Sequence, residues 1–80
     1  MQIFVAMPGG RVLTLEVDDT HEVAAVKRQI QRAADIPPAR QRLMHGSKLG
    51  GEPHRLEDAR TLRDYNIERE ATLQLAVLPP

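Results

Sequence analysis

MQIFVAMPGGRVLTLEV, residues 1–17, reads as a β-hairpin. Met1, Ile3 and Val5 alternate with Gln2, Phe4 and Ala6, and Leu13, Leu15 and Val17 alternate with Thr14 and Glu16. A period of two sends successive side chains to opposite faces, so each segment is a strand with one buried side. Between them, Met7-Pro8-Gly9-Gly10 has the proline and paired glycines of a turn or bulged loop. A Gly-Gly pair also suits phosphate cradling, but that chemistry needs a helix directly after it, and none follows.

Past Val17 the period changes. Residues 18–35 read as a helix with Val23, Val26, Ile30, Ala33 and Ala34 on one stripe and Arg28, Gln29, Gln31 and Arg32 towards water. Asp19 with Glu22 three residues on, or Thr20 as the cap, would satisfy the free N–H groups of the first turn. Asp35-Ile36-Pro37-Pro38 ends the helix, because the residue before a proline avoids the helical region. Gln41 to His45 is a short strand, followed by a Gly46-Ser47 turn and a brief Lys48-Leu49 continuation. Gly50 to Arg55, with its glycines and proline, is expected to be a surface loop. Leu56 and Leu62 anchor a mixed stretch in which Leu62 to Tyr65 forms one tight helical turn. Ala71 to Val77 is the last strand, with Leu73, Leu75 and Val77 on one face and Thr72, Gln74 and Ala76 on the other. Pro79 and Pro80 have no N–H for a ladder and stop it. One helix on one face of a mixed sheet buries these stripes, an α+β fold.

Composition narrows the function. Eighty residues make one small domain with a thin stability margin. The 11 basic and 11 acidic residues cancel, which argues against nucleic acid as a partner. Phe4 and Tyr65 are the only aromatics, too few for base stacking. With no cysteine there is no disulfide framework, thiol nucleophile or thiolate metal site. His21, His45 and His54 lie in different elements without metal-ligand spacing. The neighbouring carboxylates Asp18-Asp19 and Glu57-Asp58 point different ways on an extended chain and do not form a general acid/base pair. These residues predict no enzyme, no metal and no cofactor. The start has no signal-peptide pattern and no apolar run reaches spanning length, so the expectation is a soluble monomer in the cytoplasm, the nucleus or both, away from membranes.

Short motifs spread over every element now carry a resemblance. MQIFV at the start, TLEV at 14–17, VK at 26–27, IQ at 30–31, IPP at 36–38 and QRL at 41–43 are joined by LED at 56–58, RTL at 60–62, DYNI at 64–67 and TL at 72–73. Together they resemble the ubiquitin family. The resemblance implies the β-grasp fold with first and last strands parallel in the sheet centre, a first methionine buried in the core, and a salt bridge from Lys27 to Asp58.

Three departures shape the functional expectation. The family's modifiers end in a basic flexible tail and two glycines whose carboxylate is activated; here Leu78-Pro79-Pro80 stands instead. About six residues are inserted after Lys48, a change whose thermodynamic cost grows slowly with length. The family's receptor-binding apolar patch maps onto Pro8, Met44, Gln74 and Ala76, flanked by Arg42 and Lys48. Met44 keeps an adaptable apolar centre. An alanine at position 76 removes about 1–1.5 kcal/mol of possible burial, out of about 5–7 kcal/mol for a weak receptor contact.

These residues imply a non-conjugating interaction domain over residues 1–78, with 79–80 beginning a linker. The buried first methionine implies the N-terminal domain of a larger protein. The partners expected are ubiquitin-binding helices, proteasome subunits or domains of the host protein. The alternatives are a modifier whose Gly-Gly end lies outside this chain and a stand-alone ubiquitin mimic.

Overall fold

The structure is a computed structural model in which residues 1–46 and 53–80 are described. Its order is β1 (Gln2–Ala6), β2 (Val12–Glu16), α1 (Val23–Ala34), β3 (Gln41–His45), β4 (His54–Arg55) and β5 (Thr72–Val77). The strands form one mixed sheet in the order β2-β1-β5-β3-β4, with β1 and β5 parallel and the other neighbours antiparallel. The parallel pair lies between β2 and β3, the arrangement the resemblance implies.

Alternation sets the inner face. Ile3, Val5, Leu13, Leu15, Leu43, Leu73 and Leu75 turn inwards and meet Val23, Val26 and Ile30 from α1, all of them buried. Val17, Leu56, Leu62 and Ile67 close the same core. Met1 is half-buried rather than wholly inside, and its ammonium donates to Glu16 Oε1 at 3.0 Å and to the Val17 carbonyl at 2.8 Å. The β1–β2 turn depends on glycine. Gly9 and Gly10 both have φ +87, a region that side chains with a Cβ rarely occupy. The tight turn expected near Tyr65 is a 3-10 helix, Arg63–Tyr65.

Several expectations from the sequence are corrected. The helix begins at Val23, not near Asp18, and Glu22 in the cap position makes no side-chain capping bond. Neither Asp19 nor Thr20 caps it. Asp18 instead closes a local turn, accepting from the Thr20 N–H at 3.0 Å and the Thr20 hydroxyl at 2.9 Å. The free helix N–H groups find distant carbonyls: Val23 donates to Arg60 at 2.9 Å and Ala24 to Asp58 at 3.1 Å. Ala33 is exposed, because the stripe rotates off the sheet in the last turn. Val77 is 38% exposed, since the core ends beneath Leu75. The Lys48-Leu49 strand lies outside the described residues, and β3 finds its partner at His54–Arg55, inside the stretch expected to be loop. Those two residues pair because they lead directly into Leu56, a core anchor at 2% exposure whose N–H donates to the Leu43 carbonyl at 2.9 Å.

Past the helix, Asp35 adopts the left-handed conformation (φ 58, ψ 39) and its N–H donates to the Gln31 carbonyl. The proline pair then leads into β3, where Gln41 is buried. Its amide nitrogen donates to the Lys27 carbonyl at 2.9 Å and the Ile36 carbonyl at 2.8 Å, tying helix, linker and sheet together. Beyond β5 the Leu78 N–H donates to the Arg40 carbonyl at 2.7 Å, and Arg40 Nε donates back to the Leu78 carbonyl at 2.9 Å.

Candidate functional site

With the inner face filled by the core, the residues between the buried ones form a second, outer sheet face, and among the described residues no helix packs on it. Register places them. Val12 stands opposite Ala6, Ala6 beside Gln74, Gln74 opposite Met44 and Met44 opposite Arg55, one row crossing all five strands. Directly paired residues point to the same face, so the row is continuous. A neighbouring pair is Arg42 opposite Ala76, and on the other side Phe4 pairs with both Thr14 and Thr72.

Five of the six sequence-derived site residues can be located. Arg42, Met44, Gln74 and Ala76 come together as two adjacent cross-strand pairs between β3 and β5. Met44, Arg42 and Ala76 are half-buried and Gln74 is exposed. Pro8 is exposed in the 3-10 turn Pro8–Gly10, which packs against β5 and so borders the same face. Lys48 lies outside the described residues.

Three contributors escaped the sequence reading. Arg55 is the cross-strand neighbour of Met44, a basic residue beside the apolar centre. Val12 is 57% exposed, the largest exposure of any bulky apolar side chain among the described residues. Ala6 lies between it and Gln74. Val12 was legible in principle, because it occupies the polar phase of the Leu13-Leu15-Val17 alternation. Arg55 was not, because nothing local marks which residues after an insertion re-pair with β3.

The chemistry of the face is that of contact. Arg42 Nε is shielded from water and has no hydrogen-bond partner. Ion pairs join Glu16 to the Met1 ammonium, Glu57 to Arg60 and Asp58 to Lys27, away from Arg42 and Arg55. The face therefore presents apolar centres beside positive charge, which favours an apolar partner with acidic flanks. Elsewhere, a hollow of about 480 Å³ is lined by Lys27, Arg55, Leu56, Glu57 and Asp58, but its lysine and Asp58 already engage each other at 2.6 Å. Among the described residues no group of three His, Cys, Asp or Glu side chains comes together as metal ligands.

Comparison with known proteins agrees with this architecture. The family model described as Ubiquitin family matches residues 3–80. Ubiquitin-like protein 4A of Esox lucius is 34% identical over 70 residues, covering 88% of this chain and 42% of that protein. The Danio rerio protein of the same name is 33% identical over 70 residues, with 88% and 41% covered. Ubiquitin-like protein NEDD8 of Dictyostelium discoideum is 29% identical over 77 residues, covering 96% of this chain and 92% of that protein. The chain thus spans about two-fifths of the length of its ubiquitin-like protein 4A relatives. A family match over nearly the whole chain, on a β-grasp sheet with a single helix against it, makes this chain a member of the ubiquitin family.

Proposed function

We propose that the domain is a non-conjugating docking module of the ubiquitin–proteasome system that binds protein partners through its outer sheet face. The observation that carries this reading is the pairing of Met44 with Gln74 and of Arg42 with Ala76 on a face that the core leaves free. Ubiquitin-binding helices and proteasome subunits suit such a face, with an apolar side chain over Met44 and carboxylates near Arg42. The non-conjugating role draws on the exit of β5. Leu78 is held at both its N–H and its carbonyl by Arg40, and the prolines that follow lack the slimness and freedom of paired glycines.

The test is a titration of the 15N-labelled domain with a ubiquitin-binding helix. Amide shifts centred on Met44, Gln74 and Ala76 support the reading. Shifts confined to another surface overturn it. A conjugated modifier whose chain continues beyond Pro80 is the second reading, favoured by the match to nearly the full length of the Dictyostelium protein. Incubation of the protein extended to its natural end, with ubiquitin-activating enzyme and ATP, separates the two: a thioester formed on it overturns the non-conjugating role.

A further inference from the structure

His45 and His54 lie too far apart in the chain for any local spacing to mark them as partners. The register nevertheless sets them directly opposite each other across β3 and β4. We infer that this pair is a binding site for a divalent transition-metal ion, zinc or copper, held by one nitrogen of each imidazole.

Directly opposed residues point to the same side of a sheet, with Cβ atoms about 5 Å apart. Here that side is the inner one, because Leu43 and Leu56, each two residues away, are buried on it. The Leu56 N–H donates to the Leu43 carbonyl at 2.9 Å and so fixes the register of the pair. The two histidines stand where the core gives out: His45 is half-buried and His54 exposed. One ring is restrained by packing and the other is free to turn towards it, so binding has to order only one exposed side chain. Zinc–imidazole bonds of about 2.0–2.1 Å at a tetrahedral angle put the two nitrogens about 3.3 Å apart. Rings on opposed strand positions reach that separation. Imidazole suits both zinc and copper. Two rings fill two of the positions around zinc, and water fills the rest.

The surroundings favour a cation. His45 borders a hollow of about 190 Å³ together with Asn66, Glu68, Arg69, Glu70 and Ala71. Two carboxylates against one guanidinium leave that rim net negative. The β5 neighbour of His45 is Leu73, which is apolar and buried. Arg55 follows His54 but pairs with Met44, so its charge lies on the opposite face. His21 makes a useful contrast. Its Nδ1 already accepts the Asp18 N–H at 3.2 Å, and the other two histidines pair with each other.

The link matters most for β4, which consists of His54 and Arg55 alone. An ion that bridges the strands binds only the paired form and stabilises it by mass action. The same ion would hold Arg55 beside Met44.

The test is a zinc titration of the 15N-labelled chain at about pH 7.5, where an ordinary imidazole is neutral, with the thermal midpoint followed in parallel. A saturable response centred on the His45 and His54 rings is expected, with a rise in midpoint. His54→Ala, at an exposed position, should weaken zinc binding about tenfold or more, the loss that even an indirect partner of a metal produces. His21→Ala should leave binding unchanged. The rise should vanish at about pH 5, because a protonated imidazole has no lone pair to give. Copper should bind more tightly than zinc. Zinc binding that survives His54→Ala, a response centred on His21 or the Met1 amine, or no saturable binding up to millimolar zinc overturns the site.

Discussion

Lys27 Nζ and Asp58 Oδ1 stand 2.6 Å apart, the lysine side chain 9% exposed beneath the helix and the carboxylate 62% exposed at the rim. The two partners are therefore not equivalent. Removing the carboxylate leaves a buried ammonium without its counter-charge, whereas removing the ammonium leaves a carboxylate that water can serve. Asp58→Asn is expected to destabilise the fold by about 1–2 kcal/mol, a value reduced from that of a fully buried pair because one partner is open to solvent. Lys27→Met, which keeps the stem and drops the charge, should cost less. Urea unfolding of both variants checks the order, and an equal or larger loss for Lys27→Met contradicts it.

Gln41 gives a second effect, from hydrogen bonds rather than charge. Its buried side-chain amide serves the carbonyls of Lys27 and Ile36. Gln41→Leu fills similar space but leaves both acceptors without that donor. A loss of about 1–2 kcal/mol follows from the two lost hydrogen bonds, offset in part because Gln41 Oε1 is itself buried without a partner, readable as a fall in the denaturant midpoint at unchanged slope.

Asp35 points the other way. It holds φ 58 at the end of α1, a region where glycine is unstrained. Asp35→Gly should raise stability by about 0.5–1 kcal/mol. Thermal unfolding detects this as a higher midpoint, and no rise would mean that the aspartate's local contacts outweigh its backbone strain.

Acid sensitivity is expected at two turns. The Asp18 carboxyl lies below its ordinary value of 3.8, chiefly because it accepts the Thr20 backbone N–H. Asp64 is lowered in the same way, chiefly by the Thr61 backbone N–H at 3.0 Å. As pH falls, the unfolded chain takes up these protons first. The stabilisation is thus complete well above 3.8 and is lost as pH drops through the lower folded values. The double variant Asp18→Asn/Asp64→Asn should show a shallower loss of melting temperature between about pH 5 and pH 2. Parallel curves for variant and parent would remove these groups as the cause.

Most of the fold is legible in the sequence. Period-two alternation marked β1, β2, β3 and β5 within a residue or so, and the valine-isoleucine stripe marked α1. The proline pair at 37–38 and the glycines at 9–10 placed the breaks, because their backbone limits are local properties. The Lys27–Asp58 pair and the parallel centre of the sheet came from family resemblance, since no local rule pairs residues so far apart in the chain.

What the sequence determined by itself is which side chains are driven out of water and where the backbone must turn. Which groups meet across the fold was decided only by tertiary structure. The helix start is one case: the first N–H groups of α1 are satisfied by carbonyls of Asp58 and Arg60, so no capping side chain is needed and the acidic residues before the helix are free for a turn of their own. The outer face is the other. Arg55 reaches Met44 because Leu56 must reach the core, and Val12 joins the face because its register with Ala6 fixes it there. Burial of one face sets the register, and the register assembles the other.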